Sequence, residues 1–133
     1  MSKYRIMLAD DHVLMREGLK RLIQEDRNLK VVGEACDGVE LLELLEDSTP
    51  DMVILDLSMP RLPGSEAIGL IKGLYPKVKI LILTMHKNKD YLYQAMEKGA
   101  DGYVIKEDAH DVLHAAIAAI RRGETFISPL IFG

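Results

Sequence analysis

The sequence has little of what marks secreted, redox or nucleic-acid-binding proteins. It has one cysteine, Cys36, in 133 residues, so it cannot form an internal disulfide, and its first residues carry no apolar signal region. With 17 Lys and Arg against 21 Asp and Glu, the net charge is −4, and the basic excess that binds nucleic acid is missing. These absences predict a cytoplasmic protein, and any contact with DNA is expected to need a domain outside this chain.

Long apolar runs are also absent. The apolar stretches are the length of single strands and end in charged residues, far short of the roughly 20 residues that cross a bilayer. We therefore predict no association with a membrane. The motifs G-x-x-x-x-G-K-[ST], G-x-S-x-G and H-E-x-x-H are missing as well, so ordinary NTPase or hydrolase chemistry has no support.

The composition, 48% apolar and 29% charged, is that of one globular domain. Short apolar runs rich in β-branched residues alternate with stretches of helical period, which predicts five strands, at 5–9, 30–35, 52–57, 79–83 and 102–105. Strict alternation of strands and helices predicts an α/β fold with a parallel sheet covered on both faces. The last helix is expected to end near Gly123, and 124–133 shows neither a helical nor a strand pattern.

Polar side chains follow four of the predicted strands. Asp10 and Asp11 come after the first, Asp56 at the end of the third, Thr84 after the fourth and Lys106 after the fifth. In open parallel sheets, sites form beyond the carboxyl ends of the strands where the strand order reverses, so we expect these groups to converge. Crowded carboxylates would raise each other's pKa unless a cation or the ammonium of Lys106 offsets their charge, and oxygen ligands favour Mg²⁺ or Mn²⁺. A flavin or nucleotide phosphate at the first turn is disfavoured, because the acid pair would repel it.

Five motifs, in this order, resemble the receiver domain of bacterial response regulators. They are Leu8-Ala9-Asp10-Asp11-His12, Val53-Ile54-Leu55-Asp56-Leu57-Ser58-Met59-Pro60, Leu62-Pro63-Gly64, Leu83-Thr84 and Gly99-Ala100-Asp101-Gly102-Tyr103-Val104-Ile105-Lys106. The resemblance covers residues 4 to about 122. It implies the flavodoxin-like receiver fold, a five-stranded parallel sheet of order 2-1-3-4-5 flanked by five helices.

The resemblance also implies roles in phosphoryl transfer. Asp56 would accept a phosphoryl group from a phosphohistidine of a sensor histidine kinase. Asp11, Asp56 and the backbone carbonyl of Ser58 would bind Mg²⁺ directly, with Asp10 acting mainly through water. Lys106 would hold a phosphoryl oxygen. The chain would thus be a phosphoacceptor that promotes its own phosphorylation and dephosphorylation, not a classical enzyme.

Further residues would turn the phosphoryl group into a signal. Thr84 would donate its hydroxyl to a phosphoryl oxygen and let Tyr103 turn inward, which would change the face made by the fourth helix, fifth strand and fifth helix. Ser58 and His86 would together tune the hydrolysis of the acyl phosphate. A phosphatase using an aspartyl phosphate would need a second carboxylate just after the nucleophile, and Asp56-Leu57-Ser58 offers none.

Two details narrow the class. Glu107, where many receivers have Pro, and the sequence 123–129 together resemble the NarL/FixJ (LuxR-type) class, whose members continue into a helix-turn-helix DNA-binding domain. We therefore expect a receiver at 1–123 and the start of a linker at 124–133. A stand-alone receiver and a metal-free pseudo-receiver scaffold remain alternatives, and homodimer formation is left open.

Overall fold

The computed structural model describes residues 3–59, 61–62 and 64–131. In chain order the elements are β1 (Tyr4–Ala9), α1 (Val13–Gln24), β2 (Leu29–Ala35), α2 (Gly38–Asp47), β3 (Met52–Leu55), α3 (Gly64–Leu74), β4 (Lys79–Thr84), α4 (Lys89–Glu97), β5 (Gly102–Ile105), α5 (Ala109–Arg121) and β6 (Phe126–Ile127). Two 3₁₀ turns lie at Lys106–Asp108 and Pro129–Ile131. Within the described residues, every helix is too short or too polar to cross a membrane.

The strands form one parallel sheet in the order β2-β1-β3-β4-β5-β6. The α/β receiver fold is confirmed, but the prediction of five strands is corrected to six. The extra strand, β6, pairs with β5 in the segment for which we predicted no strand pattern. Two residues are too few to show the alternation that identifies a strand in sequence. Only the free edge of β5, which the fold places beside them, makes them a strand.

Helices cover both faces of the sheet. Side chains from α1 and α5 pack on one face, against alternate strand residues such as Ile6 and Leu8. Side chains from α2, α3 and α4 pack on the other face, against residues such as Met7 and Ala9. All residues of β3 and β5 are buried, as expected for central strands covered on both sides.

The strand order reverses at β1, which has β2 on one side and β3 on the other. Backbone hydrogen bonds continue just past the strand ends. The amide of Asp56 donates to Ala9 O (2.9 Å), and the amide of Asp10 donates to Ala35 O (3.0 Å). These bonds fix Asp10 and Asp56 as neighbours at the carboxyl edge of the sheet. β3 ends at Leu55, two residues before the predicted end at Leu57, which leaves Asp56 at the start of the loop.

Candidate functional site

Two buried carboxylates lie side by side at the reversal point. Asp10 and Asp56 are 3% and 2% exposed, whereas Asp11 is exposed. Burial raises the pKa of Asp56 above its ordinary value, and the charge of Asp10 raises it further. A hydrogen bond from Ser58 N–H and the charge of Lys106 act in the opposite direction but do not cancel the effect. The pair is therefore short of positive charge.

Lys106 supplies part of that charge. Its ammonium lies 2.8 Å from Asp10 Oδ2 and 3.4 Å from Asp56 Oδ2, and its side chain is only 7% exposed. The amide of Ser58 donates to the other oxygen of Asp56, Oδ1, at 3.0 Å. The two oxygens of Asp56 therefore differ: Oδ1 is held by the backbone, and Oδ2 faces the lysine.

The remaining donor atoms fit a divalent cation. One carboxylate oxygen each of Asp10, Asp11 and Asp56 and one ring nitrogen of His12 lie within 4.8 Å of one another. Asp10 Oδ2 is buried, and no group among the described residues donates an aligned hydrogen bond to it, although Lys106 is close. Closely spaced carboxylate oxygens are suited to Mg²⁺ or Mn²⁺, which prefer oxygen ligands.

His12 belongs to this cluster, although sequence reasoning assigned it no role. Its Nδ1 lies 3.0 Å from Asp10 Oδ1 and 3.2 Å from Asp11 Oδ1. Its backbone amide also donates to Asp10 Oδ1, at 2.9 Å. Position directly after the acid pair was the one available signal, and it did not distinguish a contact with the carboxylates from exposure to solvent.

Thr84 and Tyr103 meet at the backbone of His86. Thr84 is fully buried, and its hydroxyl oxygen accepts a hydrogen bond from His86 N at 3.2 Å. Tyr103 is also fully buried, and its hydroxyl donates to His86 O at 3.0 Å. Burial raises the pKa of Tyr103 to about 12. The ring of Tyr103 thus already points inward here, and one residue connects it to Thr84.

The side chain of His86 reaches towards the loop after β3. Its Nε2 lies 3.4 Å from Ser58 Oγ, so the two residues proposed to tune hydrolysis are in contact. The ring also stacks on Tyr91 of α4, with centroids 4.4 Å apart and an interplanar angle of 22°. These contacts join the loop after β3, which begins at Asp56, to the loop after β4 and to α4.

A salt bridge that the sequence did not indicate ties the loop after β3 to α2. Arg61 lies in the left-handed region, with φ of 68°, and its guanidinium contacts Asp37 Oδ2 at 2.7 and 2.9 Å. Asp37 also caps α2 by accepting from Glu40 N at 2.8 Å. The amide of Glu40 and the guanidinium of Arg61 hold the pKa of Asp37 below its ordinary value. Because the partners are 24 positions apart, no local pattern reveals the pair.

Comparison with known proteins agrees with this geometry. Residues 6–118 match the family described as the response regulator receiver domain. The chain is 35% identical over 130 residues to the transcriptional regulatory protein DegU of Brevibacillus brevis, covering 98% of this chain and 55% of DegU. The chain therefore spans a little more than half the length of this curated relative.

Solved structures are similar over nearly the whole chain. A LuxR-family two-component response regulator from Aurantimonas sp. SI85-9A1 superposes with a TM-score of 0.93 at 42% identity, covering 98% of this chain and 93% of the other. A structure of two RcsB dimers bound to two parallel DNAs gives a TM-score of 0.91 at 29% identity, with 98% of this chain and 66% of the RcsB chain covered. By family match, relatives and fold, this chain belongs to the receiver domains of response regulators, in their NarL/FixJ (LuxR-type) class.

Proposed function

We propose that Asp56 accepts a phosphoryl group from the phosphohistidine of a sensor histidine kinase. The observation that carries the proposal is the asymmetry of the buried Asp56 carboxylate. Ser58 N–H fixes Oδ1 at 3.0 Å, while Oδ2 faces the ammonium of Lys106 at 3.4 Å. A carboxylate whose pKa is raised by burial is a stronger nucleophile than one in water. The ammonium of Lys106 is close enough to stabilise the negative charge of the phosphoryl group.

In the forward step, a carboxylate oxygen of Asp56 forms a bond to phosphorus. The P–N bond to the kinase imidazole breaks, and its electron pair stays on the imidazole nitrogen. Lys106, whose ammonium is paired with Asp10 and Asp56 before the reaction, shifts towards a phosphoryl oxygen. In the reverse of activation, water attacks phosphorus, inorganic phosphate leaves and the Asp56 carboxylate returns. The protein is modified and restored, so it serves as a switch and not as a classical enzyme.

Asp10, Asp11, Asp56 and the backbone carbonyl of Ser58 are the groups that would hold Mg²⁺ or Mn²⁺. When bound, the cation offsets the repulsion between the carboxylates and the phosphoryl oxygens. Asp10, whose Oδ2 lies 2.8 Å from Lys106, would act mainly through a water molecule. With the cation in place, the ammonium of Lys106 could move away from Asp10 and Asp56 without increasing the repulsion between the two carboxylates.

Thr84 and Tyr103 would transmit the event. To donate its hydroxyl to a phosphoryl oxygen, Thr84 would turn Oγ1 towards Asp56, and this would move the acceptor of the hydrogen bond from His86 N. The carbonyl of the same residue accepts the hydrogen bond of Tyr103, so a shift at Thr84 alters the anchor of the tyrosine. The face formed by α4, β5 and α5 would change with it.

The output that we propose is transcriptional control in the cytoplasm, through a DNA-binding domain that follows this chain in the longer protein. The name of DegU, a transcriptional regulatory protein, and the dimers of RcsB on DNA support this proposal. They also support homodimer formation by the longer protein.

The test is incubation with Mg²⁺ and acetyl phosphate, followed by intact mass spectrometry. We expect the wild type to gain one phosphoryl group, and we expect both Asp56→Ala and a chelator to abolish the gain. Asp47→Asn, at an exposed aspartate at the end of α2, is the matched control and should be phosphorylated like the wild type. If the wild type gains no mass, the chain is a pseudo-receiver scaffold and the proposal is wrong.

A further inference from the structure

The segment after α5 packs against the domain and adds a strand to its sheet. Phe126 and Ile127 pair in parallel with Gly102 and Tyr103. The amide of Ser128 continues this ladder by donating to Tyr103 O at 2.8 Å. This C-terminal segment, residues 124–131, thus occupies the edge of the strand that carries the proposed switch residue.

The hydroxyl of Ser128 makes a second, more specific contact. Ser128 is fully buried, and its Oγ donates to Asp108 Oδ2 at 2.6 Å. A buried hydroxyl is costly without a partner, and a hydrogen bond to a carboxylate is stronger than one between neutral groups. Asp108 closes the 3₁₀ turn that begins at Lys106. The bond therefore fixes the turn that carries the lysine.

An apolar contact completes the docking. Ile131 is 6% exposed and belongs to the same core cluster as Tyr103, Ile105 and Leu92. The C-terminal segment therefore packs on the side of β5 from which the ring of Tyr103 projects. Its two anchors, Ser128 and Ile131, contact the phosphoryl-binding turn and the surroundings of the switch residue.

We propose that the hydrogen bond between Ser128 and Asp108 is a positioning element of the phosphoryl site, coupling the docking of the C-terminal segment to the occupancy of Asp56. The proposal rests on the function proposed above, since it assigns Lys106 to the phosphoryl group. With the bond intact, the turn places the ammonium over Asp56. Docking of the segment then increases the affinity of Asp56 for a bound group by some factor. By thermodynamic linkage, the bound group must favour docking of the segment by the same factor.

The test measures beryllofluoride, a phosphoryl mimic, binding in the presence of Mg²⁺. The bound fluorine atoms, observed by ¹⁹F NMR, stand for the phosphoryl oxygens, and hydrogen exchange reports the docking of 126–131. We expect Ser128→Ala to weaken beryllofluoride binding about fivefold or more and to shift the resonance of the fluorine nearest Lys106. In the wild type, beryllofluoride should slow exchange in 126–131 by a matching factor, and in Ser128→Ala it should not.

Three companion variants separate positioning from stability. Thr125→Ala removes an exposed hydroxyl from the same segment and should behave like the wild type. Asp108→Asn keeps an acceptor oxygen and should retain most of the affinity for beryllofluoride. Asp108→Ala should lose as much affinity as Ser128→Ala, and it takes the place of Ser128→Ala in the test if Ser128→Ala does not fold.

The two proposals fail in different ways. A wild type that binds no beryllofluoride overturns both. A wild type that binds it, together with a Ser128→Ala variant whose Tm falls while its affinity and ¹⁹F shifts stay unchanged, overturns the coupling alone.

Discussion

At the scale of single residues, the site stores unfavourable electrostatic energy at Asp56. Burial raises its pKa, so the folded protein holds the proton more tightly than the unfolded chain does. The contribution of this group to stability is fully present below the ordinary value of 3.8 and is lost as the pH rises through the higher folded-state value. At neutral pH, without a divalent cation, the ionised carboxylate therefore destabilises the fold.

Asp56→Asn should accordingly raise the Tm at pH 7 in the presence of a chelator. The amide cannot ionise, and Lys106 keeps its contact with Asp10 at 2.8 Å. We expect a gain of a few degrees, the change that about 1 kcal/mol produces in a domain of this size. Thermal melts from pH 4 to 8 should show the gain shrinking as the pH falls. With Asp47→Asn as the control, a lower Tm at pH 7 for Asp56→Asn would contradict this account.

Ser58 and His86 should set the lifetime of the acyl phosphate. Ser58 Oγ and His86 Nε2 lie 3.4 Å apart, and the ring of His86 is held by its stacking on Tyr91. Replacing both with Ala should admit water and speed the loss of phosphate about three- to tenfold. The decay is followed by intact mass after removal of acetyl phosphate. His110→Ala, an exposed histidine on α5, is the control, and a decay as slow as in the wild type would reject the role.

At the scale of elements, the start of α2 is packed against the loop that carries Ser58. A Cβ atom added at Gly38 would lie 2.5 Å from Leu62 Cβ and 2.7 Å from Leu62 O, closer than atoms can approach. Gly38→Ala should therefore displace the loop, lower the free energy of unfolding by about 1–3 kcal/mol and weaken Mg²⁺ binding. Urea unfolding and a Mg²⁺ titration followed by tyrosine fluorescence measure the two effects.

The control for that prediction is another glycine in a helix. At Gly69 of α3 an added Cβ meets nothing within 4 Å, so Gly69→Ala should stabilise the fold by about 0.5–1 kcal/mol and leave Mg²⁺ binding unchanged. Equal Mg²⁺ affinity in both variants would show that the position of the loop does not affect the cation site.

Sequence reasoning succeeded where a pattern is local or where the fold makes strand ends converge. Asp10, Asp56 and Lys106 were predicted to meet because parallel strands bring their carboxyl ends to one edge, and the structure places them within ion-pair distance. It failed for β6 and for the hydrogen bond between Ser128 and Asp108, two residues that are 20 positions apart in the chain. Such contacts depend on where the finished sheet leaves a free edge or an acceptor, and no periodicity of the chain encodes that.

At the scale of the molecule, two routes would carry the proposed phosphorylation of Asp56 into the rest of the domain. One runs through Thr84 and the backbone of His86 to Tyr103, and the other through Lys106 and its turn to the C-terminal segment. Both reach β5, which lies between α4, α5 and β6.

The first route predicts that Thr84 is needed for transmission more than for binding. In ¹H–¹⁵N NMR spectra, beryllofluoride with Mg²⁺ should shift amide resonances of α4 and β5 in the wild type. Thr84→Ala removes the hydroxyl that accepts from His86 N and that we propose turns towards the phosphoryl group. Beryllofluoride should therefore still bind, with affinity reduced about tenfold by the loss of one hydrogen bond, while the shifts at Tyr103 and α4 largely disappear.

Thr84→Ser, which keeps the hydroxyl in a fully buried position, should restore those shifts. Thr49→Ala, at an exposed threonine outside the helices and strands, should match the wild type throughout. If Thr84→Ala at saturating beryllofluoride shows the full wild-type shifts at Tyr103, then the signal does not pass through the Thr84 hydroxyl. Lys106 and its turn would then be the connection between Asp56 and β5, because that turn follows β5 directly.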